Sequence, residues 1–120
     1  MLTLDHKNLE VWKVSVAIIK EVYRLSGSFP PEEKFNLVSQ IRRAALSVSN
    51  NIAEGAARSS RREKKRFYEI ARSSIVEVDN CIEVALLLKF INQEQMTTLS
   101  PLMVQELKML TALIRKMSTL

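Results

Sequence analysis

Gln40, Arg43, Ser47, Asn51 and Glu54 recur at steps of three or four residues, which puts five polar or charged side chains on one face of a helix. Such a row can be the solvated face of the helix, can build a polar network that fixes helix register, or can hold a ligand. Asn50 and Asn51 are poor helix formers at a position that reads as mid-helix, where Lys or Glu would cost less. The flanking residues Ala44, Ala45, Ala53, Ala56 and Ala57 are small, so a second helix can come close. In a hairpin bending near Ser59, Gln40 and Arg43 fall roughly opposite Ser74 and Glu77. The expectation is a partly buried network of Gln40, Arg43, Ser47, Asn51, Glu54 and Glu77. Its role would be to set helix register or a subunit contact, because buried polar groups specify pairing at a cost in stability.

A second cluster is made of charge. Arg58, Arg61, Arg62, Lys64, Lys65, Arg66 and Arg72 face only Glu63 and Glu69 within the same stretch, and its net charge of +5 equals that of the whole chain. The basic excess therefore sits in one place, a composition suited to phosphate contact. Positive charge at a helix start opposes the helix dipole, a conflict expected where function overrides helix stability. The competing reading is a solvated face with Glu63–Arg66 and Lys65–Glu69 pairs. Within the cluster Phe67 reads as a core residue, and Tyr68 as a side chain able to stack on a base.

Other reactive chemistry is sparse. His6 is the single histidine and Cys81 the single cysteine. No zinc spacing, Glu-x-x-His pair or glycine-rich phosphate loop occurs. Cys81 lies on an apolar seam and reads as a core residue. No catalytic residue, metal or cofactor is expected, so the chain reads as a non-enzyme. One cysteine excludes an internal disulfide and suits a reducing compartment. The N-terminal residues lack a signal-peptide pattern, and no apolar run approaches the ~20 residues that span a bilayer, so a cytoplasmic protein without a membrane partner is expected.

The elements that must position these groups are helices. Among 120 residues, 47% are hydrophobic, with two glycines and three prolines, too few turn formers for a β-rich domain. Leu9, Trp12, Val16, Ile19 and Tyr23, widened by Val11, Ile18, Val22 and Leu25, predict a helix from His6 to Ser26. Gly27 should end it, since glycine tolerates positive φ. Pro31 is placed to open a second helix ending near Ala57, with Leu37, Ile41, Ala44, Val48, Ile52 and Gly55 as its seam. Ser60 and Glu63 form a capping-box pattern for a third, Arg61 to Ile91, seamed by Phe67, Ile70, Ala71, Ser74, Val78, Cys81, Ala85 and Leu88. At ~30 residues it would be ~45 Å long. Asn92 is a cap for the fourth segment, with Ser100-Pro101 as a kink or as the true start. Met103, Leu107, Leu110, Ile114 and Met117 line that helix. The fold class expected is all-α, one domain over 1–120, an elongated up-down-up-down antiparallel four-helix bundle.

These residues also carry a resemblance. Phe29-Pro30-Pro31-Glu32-Glu33, Leu37 to Ala45, Ser47 and Asn51-Ile52-Ala53-Glu54-Gly55 resemble the signature of the four-helix bundle proteins of the 23S rRNA intervening-sequence family. Arg58, Ser59, Glu63, Phe67, Ile70-Ala71, Ser74 and Glu77 continue the likeness, and Leu9-Glu10-Val11-Trp12 fits its opening. The chain departs from the pattern at Asn36, where glycine is usual, at Ser49, where proline is common, and at Ser73. Lys64 and Lys65 also separate Glu63 from Phe67. The resemblance implies a bacterial cytosolic protein, often encoded within large-subunit rRNA genes, and a homo-oligomer, a ring-shaped pentamer in related bundles. It is similar in architecture to the basic accessory proteins of diversity-generating retroelements, which bind nucleic acid and a reverse transcriptase. The expected partners are thus RNA or DNA, held by Arg58, Arg61, Arg62, Lys64, Lys65, Arg66 and Arg72. The alternative is a protein–protein scaffold without nucleic-acid affinity.

Overall fold

Helices of the expected number form, with shorter ends than the sequence pattern suggests. The computed structural model describes residues 1–119 and contains α1 (Glu10–Ser26), α2 (Leu37–Ala57), α3 (Arg61–Leu87) and α4 (Leu99–Ser118), with no strand among the described residues. Asp5–Asn8 is a separate 3₁₀ turn, cut off from α1 by extended Leu9 (φ −80°, ψ 131°). Pro31–Glu33 is likewise a 3₁₀ turn, so the double proline makes a turn and α2 starts at Leu37. The Asn92 capping box forms with Gln95, but on the 3₁₀ turn Gln93–Met96. Pro101 is the third residue of α4, within the first turn, where no intrahelical N–H is required; Ser100-Pro101 therefore marks the start of the last helix.

Two helix ends show how local chemistry stops a chain. Gly27 follows α1 with φ −63°, so its tolerance of positive φ is not used there. The left-handed residue is Lys89, φ 62°, and α3 ends at Leu87 instead of Ile91. The Phe90 N–H donates to the Ala85 carbonyl at 2.9 Å and the Lys89 N–H to the Leu86 carbonyl at 3.0 Å, the paired bonds of a Schellman motif. A Cβ in that conformation costs about 1–2 kcal/mol. Lys89→Gly should therefore raise stability by about 1 kcal/mol, read as a shift in the urea midpoint at unchanged slope.

The helices enclose one core in a body of 46 × 29 × 21 Å, elongated as α3 requires. α2 packs most extensively on α3, α3 on α4, and α1 on both α2 and α4. These contacts are compatible with an up-down-up-down order. The buried seams differ in detail from the sequence pattern. In α1 the inward face is Val11, Val14, Ser15, Ile18, Val22 and Leu25, with Tyr23 exposed. In α3, Tyr68 is buried and Phe67 only half-buried, while Ile70 and, just past the helix end, Leu88 face outward. In α4 the seam is Leu99, Met103, Glu106, Leu110 and Ile114, with Leu107 exposed.

Candidate nucleic-acid interface

The basic segment begins where α2 ends. Ser60 caps α3: its hydroxyl accepts from the Glu63 N–H at 3.1 Å and donates to Glu63 Oε1 at 3.1 Å. Glu63 is thereby drawn into the cap. Lys64 Nζ donates to the Ala56 carbonyl at 3.0 Å and to the Gly55 carbonyl at 3.4 Å, so its charge sits at the negative end of α2. Arg58 lies 4.7 Å over the Phe67 ring and 3.6 Å from Glu54. These two cations join α2 to α3 and have less freedom to meet a ligand.

The other cations of the segment are deployed differently. Arg61 donates to the Thr119 carbonyl, and Arg72 Nη1 lies 3.5 Å from Thr111 Oγ1. Both lean on α4, and the C-terminal end of α4 therefore lies beside the start of α3. Arg62 and Arg66 are exposed, and Lys65 is half-buried. None of these three has an ion-pair partner among the described residues. On α4, exposed Lys108 and Arg115 flank Thr111, which Arg72 meets, and so add to the basic surface; Lys116, five residues from Thr111, stands on another side of the helix. Sequence reasoning missed these two; the signal was the i, i+7 step from Lys108 to Arg115 on a helix that returns to the start of α3. Tyr68 is only 3% exposed, so it is core, and the base-stacking role open to it in sequence is closed by burial.

The polar row resolves into a smaller network within the chain. Ser47 Oγ and Ser74 Oγ are 2.8 Å apart, and Asn51 Nδ2 donates to Ser47 Oγ at 3.0 Å and to the Ser47 carbonyl at 2.8 Å. Ser74 also donates to the Ile70 carbonyl. Gln40, Arg43, Glu54 and Glu77 are exposed and make no hydrogen bond with one another among the described residues. Gln40, Ser47 and Glu54 stand seven residues apart, at nearly the same angle on α2, so angle does not separate them; contact across to Ser74 of α3 is made at Ser47, midway along the row. The neighbouring Arg42 does the joining: its Nε donates to Ser26 Oγ at 2.8 Å, its Nη2 to the Tyr23 carbonyl at 3.3 Å, and its guanidinium lies 4.4 Å from the Tyr23 ring centre.

Cys81 is buried, and burial, with Glu77 adding to it, pushes its thiol up, away from thiolate chemistry. His6 meets Trp12 edge-on at 5.3 Å. Among the described residues no three His, Cys, Asp or Glu side chains gather as a metal site, and no helix is long and apolar enough to cross a membrane. Glu106, unremarked in the sequence, is fully buried, and neither carboxylate oxygen has a hydrogen-bond partner among the described residues. Burial pushes its carboxyl up to about 8.

A sequence profile described as 23S rRNA-intervening sequence protein matches residues 7–112. The chain belongs to this family. The match runs from the turn before α1 to within the last turns of α4, so family membership covers all four helices. The chain is also similar to a leucine–tRNA ligase of Prochlorococcus marinus (strain MIT 9215), 28% identical over 80 residues, which is 67% of this chain and 9% of the ligase. The chain thus spans under a tenth of that protein's length.

Proposed function

We propose that this family member is a non-enzymatic, oligomeric accessory protein of the bacterial cytoplasm, an up-down-up-down bundle that holds RNA or DNA by its phosphates. The observation that carries this reading is the gathering of cations from two helices, α3 and α4, at one end of the molecule. A charge run confined to one solvated helix face would not recruit a second helix. The family name and the sequence likeness to pentameric basic bundles support both the nucleic acid and the ring. A ring would multiply weak patches into useful avidity. The tRNA ligase match covers too little of that enzyme to bring its activity here.

The test is a salt titration of binding to structured ribosomal RNA, single-stranded RNA and duplex DNA, with mass measured by light scattering. An oligomer whose log affinity falls with log salt at a slope near −4, about five phosphates neutralised, is expected. Neutralising Arg61, Arg62, Lys65 and Arg66 together should flatten that slope. Unchanged binding in this variant would remove the segment from the site. A second reading, a scaffold for another protein, is favoured by Val76, Val104 and Leu107, which expose apolar side chains on α3 and α4. Oligomers without affinity for any of the three nucleic acids would select it.

A further inference from the structure

The basic end is not uniform, and its division points to where a ligand lies. Positions 61, 65 and 72 share one face of α3, because steps of four and seven residues return to nearly the same angle. That this face looks toward α4 follows from the contacts of Arg61 with Thr119 and of Arg72 with Thr111. On α4, Lys108 and Arg115 stand one turn to either side of Thr111, and with Leu107, Thr111 and Ala112 they line a shallow groove formed by α4 alone. Lys108 and Arg115 flank the smaller Thr111 and Ala112, with exposed Leu107 beside them, so two cations border an open surface that a phosphate chain can reach. Arg62 and Arg66 instead lie on the outer crest of α3, away from α4, and Lys64 and Arg58 are engaged with α2.

We propose that this seam, with Arg61, Lys65 and Arg72 on one wall and Lys108 and Arg115 on the other, seats the phosphodiester backbone of a double-helical nucleic acid. The proposal rests on the nucleic-acid reading above and names the place and the class of ligand. The three cations of α3 cover about 16 Å along the helix axis, and packed helices lie ~8–10 Å apart, so the seam is two rows of charge. The bonds to Thr119 and Thr111 hold two guanidiniums in place while leaving most of their five donors free for oxygens. Single-strand sites add aromatic platforms on which bases stack. Here the two aromatic residues of α3 are withdrawn, Tyr68 by burial and Phe67 beneath Arg58, and α4 has none. A site with charge and no stacking surface reads backbone and shape, as duplex binders do. Glu69 is the acid closest to the α3 row by helical position, and it makes no ion pair among the described residues.

The test compares the intact protein with a seam variant, Arg72→Gln/Lys108→Gln/Arg115→Gln, and a crest variant, Arg62→Gln/Arg66→Gln, on duplex DNA, duplex RNA, a single strand and poly-glutamate. Circular dichroism and melting confirm folding of each, and Lys108→Glu alone, an exposed single site, repeats the seam test if the triple variant is unstable. The seam variant should lose tenfold or more in duplex affinity at moderate salt, with a salt slope lower in magnitude by about 2–3, each lost phosphate contact contributing ~0.9. The crest variant should change affinity less than threefold, and Glu69→Gln should raise it. A crest variant that loses binding while the seam variant keeps it would overturn the seam but leave nucleic-acid binding intact. Preference for the single strand would overturn the duplex assignment. Seam-dependent capture of poly-glutamate with no affinity for nucleic acid would overturn both readings in favour of an acidic protein partner.

Discussion

The protein should lose about 4 kcal/mol of folding stability between pH 4.5 and pH 8 through one side chain, Glu106. Its carboxyl is fully buried, has no hydrogen-bond partner among the described residues and is held up at about 8 by desolvation, against an ordinary value of 4.5. The folded chain therefore binds a proton that the unfolded chain releases. Below about pH 4.5 both states hold the proton and this contribution is fully present. As pH rises toward 8 the unfolded state is favoured by about 1.4 kcal/mol per pH unit, and above 8 the loss levels off. No other charged side chain is buried among the described residues, so the effect stands out from the surface titrations. Glu106→Leu removes both the titration and the unpaired polar group. It should be more stable than the natural chain by about 1–3 kcal/mol at pH 5, and by several kcal/mol at pH 8. Urea unfolding at pH 5, 6, 7 and 8 reads this directly. Parallel pH curves for the two proteins would mean that the carboxyl reaches water or a partner.

Gly55 should be the least replaceable residue in α2. A methyl group there would lie 2.7 Å from Tyr68 Cε1, 3.0 Å from Tyr68 Cδ1 and 3.1 Å from Phe67 Cβ. The Tyr68 ring is buried and has little room to retreat. Gly55→Ala gains about 1 kcal/mol of helix propensity but incurs an overpacking cost of about 1–3 kcal/mol, so a net loss near 1 kcal/mol is expected. Gly55→Leu should cost about 3 kcal/mol or more, a fall of roughly 12 °C in melting temperature. The damage would reach the basic end, because the Gly55 and Ala56 carbonyls receive Lys64 and Phe67 carries Arg58. In a Tyr68→Val background the penalty for Gly55→Ala should vanish and its propensity gain remain. A penalty of the same size in both backgrounds would show that the ring is not what Gly55 makes room for.

Periodicity and punctuation made the helices legible: the Ser60–Glu63 cap and the break after Ala57 lie where the residues put them. Periodicity was weaker at the inward face. An apolar stripe more than 100° wide fits several rotations of a helix, and only packing against neighbours selects one. That is why Tyr68 took the core place read for Phe67, and Glu106 a seam place read for Leu107. Hydropathy assigns a glutamate to water; its burial depends on what surrounds it in space.

The sequence by itself determined an all-α chain of four helices, the concentration of charge between Arg58 and Arg72, and the family. These are properties of residues near one another along the chain, where short-range sterics, capping and composition act. The tertiary structure alone decided which cations share a surface, since Lys108 and Arg115 are distant in sequence and meet Arg61 and Arg72 only because α4 ends beside the start of α3. It also reduced the polar row to Ser47, Asn51 and Ser74, because spacing gives the angle of a side chain on its own helix but not which part of the row the neighbouring helix meets.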